Sequence, residues 1–198
     1  MPESVPSPAG TASQPDPGYG AIVSRAGEVV AEIRRVIDSV DPVALAALLA
    51  AAGQARRLFF SGQGRSGLVT RATAMRWMHL GVTAYVAGET VTPAIGDDDL
   101  LVCLSASGRS GAILAHAATA GAVGARIVAL TATPNSPLAG AADLVVVIPA
   151  GTGVASVQHA GSLFEQTCLI LGDVLCGVFQ QLHAIADRDL DRQHANLP

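Results

Sequence analysis

Basic charge is in short supply in this chain. Twelve Lys and Arg face sixteen Asp and Glu, leaving a net charge of −4. A surface that tracks phosphodiesters needs a basic excess, so nucleic acid is excluded as a partner and any anion site must be local. Cysteine is scarce and odd in number: Cys103, Cys168 and Cys176 sit inside apolar segments, the pattern of buried reduced thiols in a cytoplasmic protein. No Cys or His cluster has metal-ligand spacing, and no metal or cofactor is expected. The most apolar helical stretch, 163–179, is interrupted by Glu165, Gln166 and Asp173, which marks a core or interface helix and no membrane span. The N-terminus lacks a basic region followed by an apolar run, so no secretory signal is read there.

What the chain has is small apolar residues. Half of its 198 residues are apolar, only 4% are aromatic, and the mean hydropathy is +0.43. That length suits one domain plus tails, and a composition rich in Ala, Val and Leu suits parallel strands covered on both faces by closely packed helices. Residues 1–18 hold five prolines among Ser, Gly and Thr and read as a flexible tail. Helical spacing of Ile22, Val29, Val30, Ile33, Val36 and Ile37 predicts a helix over 19–39, and Asp41-Pro42 opens a second with a cap and a first-turn proline. Beyond Gly53, strands at 57–61, 83–86, 100–105, 126–131 and 143–149 alternate with helices at 66–80, 111–122 and 162–186. This alternation predicts an α/β fold, a five-stranded parallel sheet between two helical layers (αβα) in flavodoxin-like order, with N-terminal helices at 19–53 and a C-terminal tail at 187–198.

One local repeat carries the chemistry. Ser61-Gly62-Gln63-Gly64-Arg65-Ser66-Gly67 and Ser105-Ala106-Ser107-Gly108-Arg109-Ser110-Gly111 each follow a strand, open a helix and end in Gly-Arg-Ser-Gly. Glycines let the backbone turn and approach a ligand, helix N-termini offer unpaired N–H groups, and serine hydroxyls and a forked guanidinium suit phosphate. Taken singly, each loop is an ordinary tight turn with serine as a cap. Together they follow strands that neighbour one another at the switch point of a 2-1-3-4-5 sheet, which aims both at one crevice. Neither is a P-loop, and no acidic residue completes a dinucleotide fingerprint. A small phosphorylated ligand fits best.

These two loops resemble those of the sugar isomerase (SIS) domain family. Ala74–Gly81, Gly88–Ile95, Gly161–Gln166 and His194–Leu197 are similar, more narrowly, to its 6-phospho-3-hexuloisomerase branch. The resemblance covers about residues 20–198; Ala106 departs from it, standing where glycine is expected. It implies a metal-free interconversion of 3-hexulose 6-phosphate and fructose 6-phosphate, and a homo-oligomer, commonly a tetramer. Gly64, Arg65, Ser66 and Ser105 to Ser110 would hold the phosphate; Glu165 would be the base. His194 would join as shuttle or hydroxyl contact, with the site shared between subunits. By spacing alone, Ser162 and Glu165 read as a capping box. His79 reads as a core or interface histidine, His159 as near the ligand, and Glu89 as fixing a loop. Other isomerases of the family (arabinose- or heptose-phosphate) and a noncatalytic sugar-phosphate-binding module are the alternatives.

Overall fold

The computed structural model describes residues 17–197. The proline-rich segment therefore lies, up to residue 16, outside the described residues, and Pro17 already belongs to the first helix. Two helices come first, α1 (Pro17–Asp38) and α2 (Pro42–Gln54). In the predicted α2 start, the Asp41 carboxylate accepts from the Val43 N–H at 2.8 Å, with Pro42 in the first turn.

The remaining elements alternate: β1 (Leu58–Gly62), α3 (Gly64–His79), β2 (Ala84–Val86), β3 (Leu100–Leu104), α4 (Gly111–Ala122), β4 (Arg126–Thr131), α5 (Pro137–Ala141), β5 (Leu144–Val147), α6 (Ser162–Leu182) and α7 (Asp187–Gln193). All strand pairs are parallel, in the order β2-β1-β3-β4-β5 that the alternation predicts.

The sheet is apolar on both faces, and its residues separate by the two-residue period of a strand. Leu58, Phe60, Leu100, Val102, Leu104, Val128 and Leu130 meet α1, α2, α3 and α6 in one core. Phe59, Leu101, Cys103, Ile127 and Ala129 meet α4 and α5 in the other. Gly172 lets α6 press against α3, where an added Cβ would sit 2.9 Å from Thr73 Oγ1. By length and composition α6 could cross a membrane, yet Leu163, Phe164, Thr167, Cys168, Leu171, Cys176 and Phe179 along it are buried. That is how a core helix reads.

The short helix α5 was not expected, and the start of α3 and the end of α6 depart from expectation for identifiable reasons. α3 begins at Gly64 rather than Ser66, because Gly64 can adopt φ +57° and start the turn early. The last helix ends at Leu182 rather than 186: Ala184 takes φ +50° and reverses the chain, and the expected tail then forms α7.

Candidate active site

β1 and β3 are paired along their length, with Ser61 opposite Cys103 and Gly62 opposite Leu104. The two glycine–serine loops therefore leave the sheet side by side. Both helices that follow start without a side-chain cap: Gln63 before α3 and Ser110 before α4 make no capping hydrogen bond. Asp41 caps α2 and Ser136 caps α5, while α6 and α7, like α3 and α4, start without a side-chain cap. The N–H groups opening α3 and α4 are thus left to whatever occupies the crevice.

The second loop is held from behind. The Ala106 carbonyl accepts from the Ala132 N–H and from the hydroxyls of Thr131 and Thr133, each at 3.1 Å. Buried Ser105 accepts from the Gly108 N–H at 3.1 Å, and the Gly108 carbonyl accepts from the Leu138 N–H. Gly108 sits at φ +62°, and a Cβ there would lie 2.0 Å from Ser136 Oγ. These bonds use the loop's inner groups and leave Ser107, Arg109 and Ser110 on its outer side. Ser107 accepts from the Arg109 N–H, and Arg109 is exposed. Alanine at 106 costs the turn nothing visible, because its carbonyl does the anchoring.

The first loop is anchored by a residue that spacing did not single out. Buried Ser61 shares a 2.8 Å hydrogen bond with His116 Nδ1 of α4. The two are 55 positions apart, so no local pattern announces the pair. Ser66 is buried in the first turn of α3.

Arg65, expected to hold the phosphate, donates its Nε–H to Glu165 Oε2 in an ion pair. The capping box also fails. Gly161 is the N-cap, the Ser162 hydroxyl donates to the His159 carbonyl, and the Glu165 side chain turns to Arg65 instead. Only 12% of that side chain is exposed. The carboxylate thus comes to the first loop across a hundred positions. His159 stands one turn ahead of α6, while Glu89 ion-pairs with Arg71 of α3 at 2.8 Å.

His194 is placed elsewhere in its own chain. Its ring stacks on that of His79, centroids 4.2 Å apart, at the C-terminal end of α3. Arg65 is in the first turn of the same helix, roughly 20 Å away along its axis. His194 therefore cannot meet Glu165 within one chain. Buried His79 leaves Nδ1 without a partner among the described residues, and burial, then the His194 and Arg76 charges, lower its pKa. All three cysteines are buried and free; burial pushes Cys103 and Cys176 up to about 12.

Comparison with known proteins defines the class. Residues 53–170 match the SIS domain, and the chain belongs to that family. Within it, the chain is 46% identical over 175 residues to a 3-hexulose-6-phosphate isomerase of Mycobacterium gastri, covering 84% of this chain and 86% of that one. A 3-hexulose-6-phosphate isomerase of Bacillus subtilis is 33% identical over 147 residues, 71% of this chain and 80% of the other. A crystal structure from Methanococcus jannaschii, described as inferring that same function, superposes with a TM-score of 0.80 at 29% identity, over 88% of this chain and 99% of that one.

Proposed function

We propose that this protein interconverts 3-hexulose 6-phosphate and fructose 6-phosphate, with Glu165 as the base. The observation that carries this is the Arg65–Glu165 pair, which brings a carboxylate from α6 to a loop built for a phosphate. The high identity to enzymes of that name supports the substrate.

Moving the carbonyl from C3 to C2 requires removing the C2 proton and returning one to C3. Through a cis-enediol, one base can do both from one face. Glu165 takes the C2 proton, the hydroxyl proton on O2 passes to O3 across the cis-enediol as the two oxygens share the developing charge, and the same carboxyl group delivers its proton to C3. The N–H groups and hydroxyls of Ser66, Ser107 and Ser110 hold the phosphate and so set how far C2 lies from the carboxylate. Arg65 orients Glu165, and its remaining N–H groups face the substrate; Arg109 supplies a second guanidinium.

A 3-ketose phosphorylated on O6 cannot close a five-membered ring through O6, and closure through O5 would be strained. It arrives open-chain, so no ring-opening histidine is needed in this direction. His194 enters as a contact supplied by a neighbouring subunit of a homo-oligomer, a tetramer in our reading, in the cytoplasm.

Glu165→Gln tests the base. It keeps the shape and the Arg65 hydrogen bond while removing proton transfer, so turnover should fall by roughly 10²- to 10⁴-fold with an unchanged melting temperature. The measurement is a coupled assay on 3-hexulose 6-phosphate, run beside arabinose 5-phosphate and sedoheptulose 7-phosphate. Wild-type turnover in the variant would remove the assignment; preference for either other sugar would reassign the substrate.

A further inference from the structure

Glu32, on α1, is a charged side chain buried to 2% exposure far in sequence from either loop. α1 also lies outside the 53–170 segment that defines the family. Burying a carboxylate is costly unless strong donors meet it, and here both oxygens are met. Oε2 accepts from the Ser156 hydroxyl at 2.7 Å, and Oε1 from the Val157 N–H at 2.7 Å. These bonds, the Ser156 hydroxyl foremost, hold its pKa below the usual carboxylate range against the opposing effect of burial. The group is ionised, and its two principal donors come from consecutive residues, with Arg35 and Gln158 acting in the same direction.

From Ser156 the route continues to the proposed base in two further contacts. Ser156 Oγ accepts from the Gln158 N–H at 3.0 Å. The Gln158 side-chain amide then pairs reciprocally with that of Gln166, at 2.8 and 2.9 Å. Gln166 adjoins Glu165 in the first turn of α6. A second observation makes this route matter: Gly161, the N-cap of α6, has no side chain to fix that turn, and Ser162 bonds backward to His159. Besides the burial of Leu163 and Phe164, the start of α6 is braced laterally by the Gln158–Gln166 pair, which connects through Ser156 to Glu32.

From this network we infer that Glu32 is a positioning residue for isomerisation, setting the angle at which the Glu165 carboxylate meets the substrate through Ser156, Gln158 and Gln166. The inference rests on Glu165 being the base. A misplacement of about 1 Å at a reacting group can cost 10²-fold in rate, so loss of the network should fall on kcat more than on substrate affinity.

The test uses the full chain, with turnover of 3-hexulose 6-phosphate and exchange of the fructose 6-phosphate C3 proton in D₂O as two readouts. Glu32→Ala should lower kcat and the exchange rate together by about 10- to 100-fold, with KM within about twofold. Glu32→Gln, which can still accept from Val157 N–H and donate to Ser156, should recover most of that loss. In the double variant Glu32→Ala/Glu165→Gln, turnover should be no lower than in Glu165→Gln alone, since a residue acting only through the base has nothing further to disturb. Should Glu32→Ala fail to fold, Gln158→Ala breaks the same route at an intermediate link and should give the same kcat loss. Wild-type kcat in the Glu32 and Gln158 variants, beside an inactive Glu165→Gln, would overturn the inference and leave the base standing. So would a double variant slower by the full product of the single effects. A fully active Glu165→Gln would take down the base and this inference with it.

Discussion

Gly108 shows how much one residue can decide. Its φ of +62° is strained for any side chain, and a Cβ would collide with Ser136, which itself caps α5. Gly108→Ala should therefore push the second loop off its supports at Thr131 and Leu138. We expect fructose 6-phosphate to raise the melting temperature of the wild-type protein by linkage, and this stabilisation to be largely lost in the variant. Equal stabilisation of both proteins would mean the loop does not hold the phosphate. Glu165 belongs to the same scale. Its spacing from Ser162 is that of a capping box, and local pattern has no means of ranking a cap against an ion pair a hundred positions distant. The Ser61–His116 and Glu32–Ser156 contacts escaped the pattern for the same reason.

At the scale of elements, α7 is held to α3 by stacked histidines. His79 is buried with a lowered pKa, so the folded protein releases its proton before the unfolded chain does. The stability this represents is complete above the unfolded histidine value, near 6.5, and is lost as pH falls through it toward the folded value. Burial is the main cause of the lowering, and the electrostatic effects of His194 and Arg76 add to it. Between pH 7.5 and 5.5 the melting temperature should thus fall further for the wild type than for His79→Phe, which keeps the ring stack without the titration. Parallel curves would show that His79 does not report on this range. Glu32 and Asp99, also held low, lose their contribution only below about pH 4, outside this window. For Asp99, burial acts to raise the pKa, but Arg57, the Gly96 N–H and Arg56 together outweigh it.

The whole molecule poses the question of the second histidine. One chain cannot bring His194 to Glu165, since the two sit at opposite ends of the α3 layer. The exposed faces of α3 and α6 carry Leu68, Met75, Val174 and Leu182, apolar surface suited to a second copy. If a neighbour completes the site, Glu165→Gln and His194→Ala should each be crippled alone. Mixed oligomers from co-expression should then recover about one quarter of wild-type activity, the share of sites pairing two intact residues. Absence of recovery at a verified 1:1 subunit ratio would confine His194 to its own chain.

The alternation of strands and helices, the two loops and the helix carrying Glu165 were legible in the sequence, because each depends on signals within a few residues: short apolar runs, glycine before a helix, an aspartate cap. Helix ends at Gly64 and Leu182 were less so, since a positive φ at Gly64 or Ala184 is a local choice that many neighbours permit. What only the tertiary structure decided is which polar groups meet. Arg65 with Glu165, Ser61 with His116 and Glu32 with Ser156 are selected by the burial of their elements against one sheet. Hydrogen-bond partners brought together by packing leave no trace in spacing along the chain.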